Sequence, residues 1–370
     1  MSQTAQHILI PFHDLNSGGT ERIALTLAKH WLDAGRRVTL LCGSKTGGLV
    51  NIVDPRIDLI ELDPPMPETT FSRLWLGRRM AQHLGKIRPD VVFVQGNFLF
   101  GLAWAFKRAA PRLPIVAKVS NPLLPPLPRG LTGLARKLLR MYVRPIDQFV
   151  YIADELANVG RIEIPQAAQC VIAEPNLSPD RPALPRSSPP EIPLILVIAR
   201  LEAQKNVGLA IEAFALLQRR RECRLLILGE GSERSRLEAI VTRLGVGAAV
   251  SMPGYTSDVA THLSHASLLL LSSRFEGYPA VVVEALAADV PVVSTACSPA
   301  LRTLIASPTH GRIVAEPTAE ALAGAMEQVI EQPFTSGGLR PATVAHHDAA
   351  ASARAYLAQF DQVVTPFGLV

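Results

Sequence analysis

Cysteine is scarce in this 370-residue chain: Cys42, Cys170, Cys223 and Cys297 lie far apart and form no CxxC. Metal or disulfide use through cysteine is thereby disfavoured, and reduced, buried thiols of a cytoplasmic protein are expected. No stretch approaches the ~18 uninterrupted apolar residues of a spanning helix. The opening MSQTAQHILIPFHD has no basic segment and no long apolar run, so no signal peptide is expected. There is no GxxxxGK[ST] for a P-loop. The first glycine loop is not a GxGxxG and no acidic residue ends the second strand, which disfavours dinucleotide binding.

What is present is a well-cored chain, 48% hydrophobic and 19% charged, long enough for two domains. Its net charge of +5 is uneven. Residues 1–185 carry 22 Lys and Arg against 15 Asp and Glu, and residues 186–370 carry 15 against 17. The basic half suits a phosphate-bearing or membrane-surface partner, and nucleic acid is not expected.

Strand-like runs alternate with helical patterns throughout. HILIPF, RVTLLC, IDLIEL, VVFVQG, IVAKVS, QFVYIA and QCVIAE fill the first half; LILVIAR, CRLLILG, AVSMPG, SLLLLSS, VPVVST and GRIVAE fill the second. GTERIALTLAKHWLDAG and ETTFSRLWLGRRMAQHLGKI repeat apolar residues at three and four, which predicts amphipathic helices. Such order predicts an α/β protein with two doubly wound parallel-sheet domains facing a cleft. The predicted parts are an N-terminal domain (1–178), a Pro/Ser-rich linker (179–193), a C-terminal domain (194–340) and a terminal helix (341–370). That helix could pack on either domain, including back on the first.

Most chemistry-bearing residues fall at strand ends, where such sheets bind ligands. In SSRFEGYPAVVVEALAADVPVVS, Glu276 precedes a Gly277-Tyr278-Pro279 turn and Glu284 lies beyond it. Pro279 suits a first helical position, with the helix running to about Ala288. The amides from Tyr278 through Ala280 to Val281 then form an anion site at a helix N-terminus. ARLEAQKN sets Arg200 at a strand end and Lys205 five positions on, a pair suited to a diphosphate or to a solvated basic loop. Gly18 and Gly19 in SGGTERIA permit close approach of a phosphate or sugar, or simply make a tight turn. Gly229 and Gly231 in LGEGSER, and Gly254-Tyr255 in PGYTSDV, could admit a base or ribose; Asp258 reads as a cap. Of the nine histidines, His13, His262 and His265 are expected at the surface or at caps.

These segments, in this order and spacing, resemble the donor half of retaining family 4 glycosyltransferases, and SGGTERIA resembles their amino-terminal glycine loop. The likeness is strong over 194–331 and weak over about 64–170. It implies the GT-B architecture, two Rossmann-like domains with the donor in the second. The resemblance places Glu276 at the transferred sugar, Glu284 on the ribose hydroxyls, and Arg200 and Lys205 on the leaving diphosphate. Donor contacts would extend over Gly18, Gly19, Gly229, Gly231, Tyr255, Gly277, Tyr278, Pro279 and Ala280. Asn97, Ser120 and Asn121 would stand on the acceptor side. No DxD occurs, so no metal or other cofactor is expected, and the two cations would take that role. Retention then follows from front-face attack with Glu276 orienting the sugar. One departure stands out: many relatives carry a histidine after the fifth strand, where this chain has Ser120 and Asn121, which do not titrate near neutrality.

Residues 71–88 and 129–144 are basic, each with five Lys or Arg. The second mixes Leu131, Leu134, Leu138 and Leu139 with Arg136, Lys137 and Arg140, the pattern of an interfacial helix or of a core helix with a charged outer face. The resulting expectation is a cytoplasmic enzyme at the inner membrane face, moving sugar from a UDP- or GDP-sugar to a lipid-linked glycan of a surface polysaccharide. A UDP-sugar epimerase of the same fold and a non-catalytic nucleotide-sugar binder are the alternatives.

Overall fold

The computed structural model describes residues 4–16, 18–66, 72–125, 130–177, 184, 190–256, 258–332 and 347–365. Most of the linker, Ser17, Phe71, Arg129, Ser257 and residues 333–346 of the expected C-terminal domain and terminal helix lie outside them. The chain forms two compact units, Met1–Pro175 with Asp348–Val370, and Asn176–His347.

Unit one holds β1 (His7–Phe12), α1 (Gly19–Asp33), β2 (Arg37–Cys42), β3 (Asp58–Glu61), α2 (Ser72–Ala81), α3 (Leu84–Ile87) and β4 (Val91–Val94). It continues with α4 (Leu102–Ala109), β5 (Ile115–Val119), α5 (Thr132–Val143), β6 (Gln148–Tyr151), α6 (Asp154–Glu163) and β7 (Ala168–Val171). Its sheet runs β3-β2-β1-β4-β5-β6-β7, all parallel. β1, β4, β5 and β6 are buried along their length, as a sheet covered on both faces requires.

Unit two holds β8 (Leu194–Ile198), α7 (Val207–Gln218), β9 (Arg224–Leu228), α8 (Arg234–Leu244), β10 (Val250–Gly254), α9 (Val259–Ser264) and β11 (Leu268–Leu271). α10 (Ala280–Ala287), β12 (Val292–Thr295), α11 (Leu301–Leu304), β13 (Gly311–Val314) and α12 (Ala319–Ile330) complete it. Its parallel sheet runs β10-β9-β8-β11-β12-β13. In each sheet the order reverses once, between β1 and β4 and between β8 and β11. Those switch points are where doubly wound sheets open a crevice at their carboxyl ends.

The terminal helix α13 (Ala349–Val364) packs on unit one. Tyr356 and Phe360 meet Trp31 and Phe93 edge-on or tilted, with ring centroids 5.0–6.1 Å apart. Trp31 Nε1 donates to the Ala353 carbonyl at 3.1 Å, so its burial leaves no donor unmet. Asp361 accepts from the Ala5 amide at 2.7 Å and pairs with Arg36 at 2.9 Å. Apolar burial at about 1.5–3 kcal/mol per large side chain makes this helix part of the first core.

Two local expectations change. The helix expected over 68–87 is interrupted: the amides of Gln82 and His83 bond three residues back, to Arg79 and Met80, and the helix re-forms as α3. The shift aims Leu84 and Ile87 inward, where both are buried. Pro279 is the N-cap of α10 rather than its first residue, because its ψ of 90° is extended. The Val281-Val282-Val283 run is helical despite its β propensity; Val282, Val283 and Leu286 bury into one apolar cluster, and packing overrides the intrinsic preference.

Candidate active site

The second switch point brings together what the sequence spacing separated. Lys205 ends a short 3₁₀ turn after β8, and its Nζ lies 2.6 Å from Glu276 Oε1, on the loop after β11. Ser273 Oγ donates to the same oxygen at 2.6 Å. The pair is largely enclosed, with side chains 19% and 10% exposed. Charge-assisted bonds at this depth hold far better than a surface ion pair.

The backbone explains why these side chains meet. The Arg274 amide donates to the Gln204 carbonyl at 2.8 Å, and Gln204 Nε2 returns a bond to the Phe275 carbonyl at 2.8 Å. Ser272 Oγ donates to the Lys205 carbonyl at 3.1 Å. Asn206 adopts the left-handed conformation, φ 49°, which turns the chain from the 3₁₀ turn into α7. Behind Glu276, its amide donates to the Cys297 carbonyl at 2.8 Å, and Ser298 Oγ donates to the Gly277 carbonyl at 2.8 Å. Burial pushes the Cys297 thiol up from its ordinary value, with the Glu276 charge adding to the shift.

Arg200 lies exposed on the loop after β8, and among the described residues its guanidinium has no ion-pair partner. Its loop is fastened by Leu201 N to Glu230 O and Glu233 N to Leu201 O, both 2.8 Å. This fastening accounts for Gly229 and Gly231. A Cβ at either would strike the backbone of Ala199 or Leu201, and Gly229 has φ 143°. These two glycines therefore serve the seating of the Arg200 loop. Tyr255 follows β10 with an exposed ring. Glu284 is half-buried on α10, one turn from Ala280. Pro279 has no amide hydrogen, so the donors expected across Tyr278–Val281 exclude it, and α10 has no side-chain cap. Asp258 caps α9 as expected, accepting from the Thr261 amide at 3.2 Å.

In unit one the three acceptor-side residues also converge. Asn97 Nδ2 donates to the Asn121 carbonyl at 2.9 Å, and its Oδ1 accepts from the Ser120 amide at 3.3 Å. Asn97 is thus committed to shaping the loop after β5. Gly18 caps α1 without a side-chain bond, and a Cβ there would collide with the Glu21 carboxylate; Gly19 faces open space. His13, expected at the surface or at a cap, is instead only 9% exposed, because it continues the buried β1 beside Asp14. The sequence reading missed Ser273, Gln204 and His347, whose Nε2 lies 2.7 Å from Tyr278 Oη.

α5 settles which face of its helix is inward. Leu139 and Val143 are buried, whereas Leu131, Leu134, Leu138, Met141 and Tyr142 are exposed, Leu134 by 60%. The helix thus packs on the core through Leu139 and Val143, as a core helix does, and leaves Leu131, Leu134 and Leu138 on its outer face beside Lys137 and Arg140. Trp104 of α4 adjoins it, donating from Nε1 to the Tyr142 carbonyl at 2.8 Å.

Residues 17–162 match the family described as Glycosyltransferase Family 4, and residues 183–342 match Glycosyl transferases group 1. Each match falls on one of the two parallel-sheet units, and two α/β units of this kind match the GT-B architecture. It is similar to the alpha-D-kanosaminyltransferase of Streptomyces kanamyceticus, 31% identical over 144 residues, 38% of this chain and 37% of that protein. It is likewise similar to the lipopolysaccharide core biosynthesis glycosyltransferase LpsE of Rhizobium meliloti, 31% identical over 143 residues, 39% of this chain and 41% of that one. The chain spans about two fifths of the length of these relatives. Among solved structures, Anabaena HepE in complex with UDP-glucose superposes with a TM-score of 0.70 at 17% identity, covering 97% of this chain and 96% of that one.

Proposed function

We propose that this protein is a retaining glycosyltransferase that moves a sugar from a UDP- or GDP-sugar to a lipid-linked glycan in surface polysaccharide biosynthesis. The observation that carries this reading is the Lys205–Glu276–Ser273 constellation at the switch point of the second unit, next to an uncapped helix N-terminus. The similarity to LpsE supports the pathway class, and the fold shared with a UDP-glucose-binding protein supports the donor class.

In this reading the bond from the sugar's anomeric carbon to the diphosphate oxygen breaks as the acceptor hydroxyl attacks the same face. Arg200 and Lys205 stabilise the charge growing on the leaving phosphate, which accepts the hydroxyl proton. Glu276, fixed by Lys205 and Ser273, orients the sugar, and Glu284 holds the ribose. Fixed donors of this kind are worth about 10²–10³ in rate each. No metal is assigned a role.

The acceptor side suits a membrane surface. The exposed stripe of α5, with exposed Trp104 bonded to its Tyr142 carbonyl and exposed Lys137 and Arg144 along the same segment, has the make-up of an interfacial helix on anionic lipid at the cytoplasmic face. Thermal shift against a panel of UDP- and GDP-sugars tests the donor assignment. A donor at about 100 times its Kd adds about 2.7 kcal/mol of stability and raises the midpoint. A flat panel contradicts the reading.

A further inference from the structure

The turn that carries Glu276 is held from a side that no motif marks. Tyr278 Oη lies 2.7 Å from His347 Nε2, and the two rings are tilted by 34° with centroids 5.2 Å apart. His347 is 3% exposed. Its Nδ1 lies 3.4 Å from Asn176 Nδ2, and its carbonyl accepts the Leu177 amide at 3.1 Å. Asn176 and His347 are the first and last residues of the second unit. Both ring nitrogens thus have a hydrogen-bond partner, Asn176 on one side and Tyr278 on the other.

This tie matters because the turn has little local support. Its Pro279 has no amide hydrogen, and no side chain caps the helix that follows. Besides Lys205 on the Glu276 carboxylate and Gln204 on the Phe275 carbonyl, the turn is held by Cys297 O on the Glu276 amide and Ser298 Oγ on the Gly277 carbonyl, both from the loop after β12. It is also held by His347 on Tyr278, from the far end of the unit.

We propose that His347 is a positioning residue for the sugar-binding turn. Acting through Tyr278, it fixes Gly277–Pro279, and with them the angle at which Glu276 meets the sugar. The catalytic part of this assignment rests on the function proposed above. His347 itself touches no reacting atom.

Amide hydrogen exchange and kinetics on the full chain test it together. His347→Phe keeps a stacked ring and removes both nitrogens; Tyr278→Phe removes only the hydroxyl; His347→Gln keeps a donor. The first two should each speed exchange of the Ala280 and Val281 amides up to about tenfold, as loss of one net hydrogen bond allows. The double variant should be no faster than either single one. Exchange in α12 should not change, and His347→Gln should recover part of the protection. With a nucleotide sugar, kcat should fall by a similar factor while affinity for UDP or GDP moves by less than about threefold. Unchanged exchange in both single variants overturns the proposal, as does an additive double variant or altered exchange with wild-type kcat. Should His347→Phe fail to fold, Tyr278→Phe carries the same comparison. The exchange readout needs no substrate, so a chain that transfers no sugar would refute the proposed function without bearing on the tie itself.

Discussion

Lys205 and Glu276, 71 residues apart, form one enclosed ion pair with Nζ 2.6 Å from Oε1. The cation assigned to the leaving phosphate and the carboxylate assigned to the sugar are therefore coupled. Removing one partner of an enclosed pair leaves the other charge uncompensated.

Lys205→Ala should accordingly cost more than Arg200→Ala. Each should lower kcat and kcat/KM together by about 10²–10³, with Lys205→Ala at the upper end because Glu276 also loses its partner. EDTA should leave wild-type turnover unchanged. Steady-state kinetics on both purified variants checks this, and near-normal kcat in both would remove the cations from the mechanism.

The two glutamates should separate by readout. Glu284→Gln should weaken donor and free nucleoside diphosphate alike, by roughly tenfold or more, since charge-assisted bonds to ribose hydroxyls contribute ~1.5–3 kcal/mol. Glu276→Gln should impair sugar placement, lowering kcat with little change in UDP or GDP affinity. Calorimetry decides between them, and unchanged nucleotide affinity in Glu284→Gln would exclude the ribose role.

Much of this was legible from residue order, and the gaps have physical causes. Runs such as VVFV and LLLL announce buried parallel strands, and both sheets follow. Residue type and spacing single out Arg200, Lys205, Glu276 and Glu284 as candidates. The Lys205–Glu276 contact itself was not legible, since it depends on how Gln204 laces one loop to the other. His347 sits 69 residues from Tyr278 in no periodic pattern. On α5 the periodicity shows which leucines share a face, yet Leu131, Leu134 and Leu138 define one stripe and Leu139 and Val143 another. Only packing decides which turns inward.

That outward stripe makes the membrane expectation specific. Replacing Leu134, Leu138 and Met141 together with Ser should release the protein from anionic vesicles and slow transfer to a lipid-linked acceptor. Use of a water-soluble acceptor analogue should be unchanged, because these side chains are exposed and support no core. The basic residues are a poorer choice: Arg140 Nε donates to the Glu163 carbonyl at 2.8 Å, and its loss would loosen α6. A wild type that fails to sediment with anionic vesicles at low salt contradicts the docking.

Stability should also fall in mild acid through His7. Burial, and then the Arg37 guanidinium 2.6 Å from Nδ1, hold this imidazole below its ordinary value of 6.5, outweighing Asp90 and Asp58. The donor-only Arg37 Nη2 needs an unprotonated Nδ1, and Nε2 meets Thr39 Oγ1 at 2.7 Å, so the neutral ring is the one that fits. The unfolded chain takes up the proton first, so this contribution is complete above pH 6.5 and is lost as pH falls below it. Denaturant midpoints between pH 7.5 and 5 should decline less steeply in His7→Gln; parallel curves would remove His7 as a cause.

The most direct measurement is product analysis after incubation with UDP- and GDP-sugars and a lipid-linked acceptor. The account predicts free nucleoside diphosphate released one-for-one with a new glycoside whose anomeric configuration matches the donor. An epimerised nucleotide sugar, an inverted glycoside, or binding without any product would contradict it.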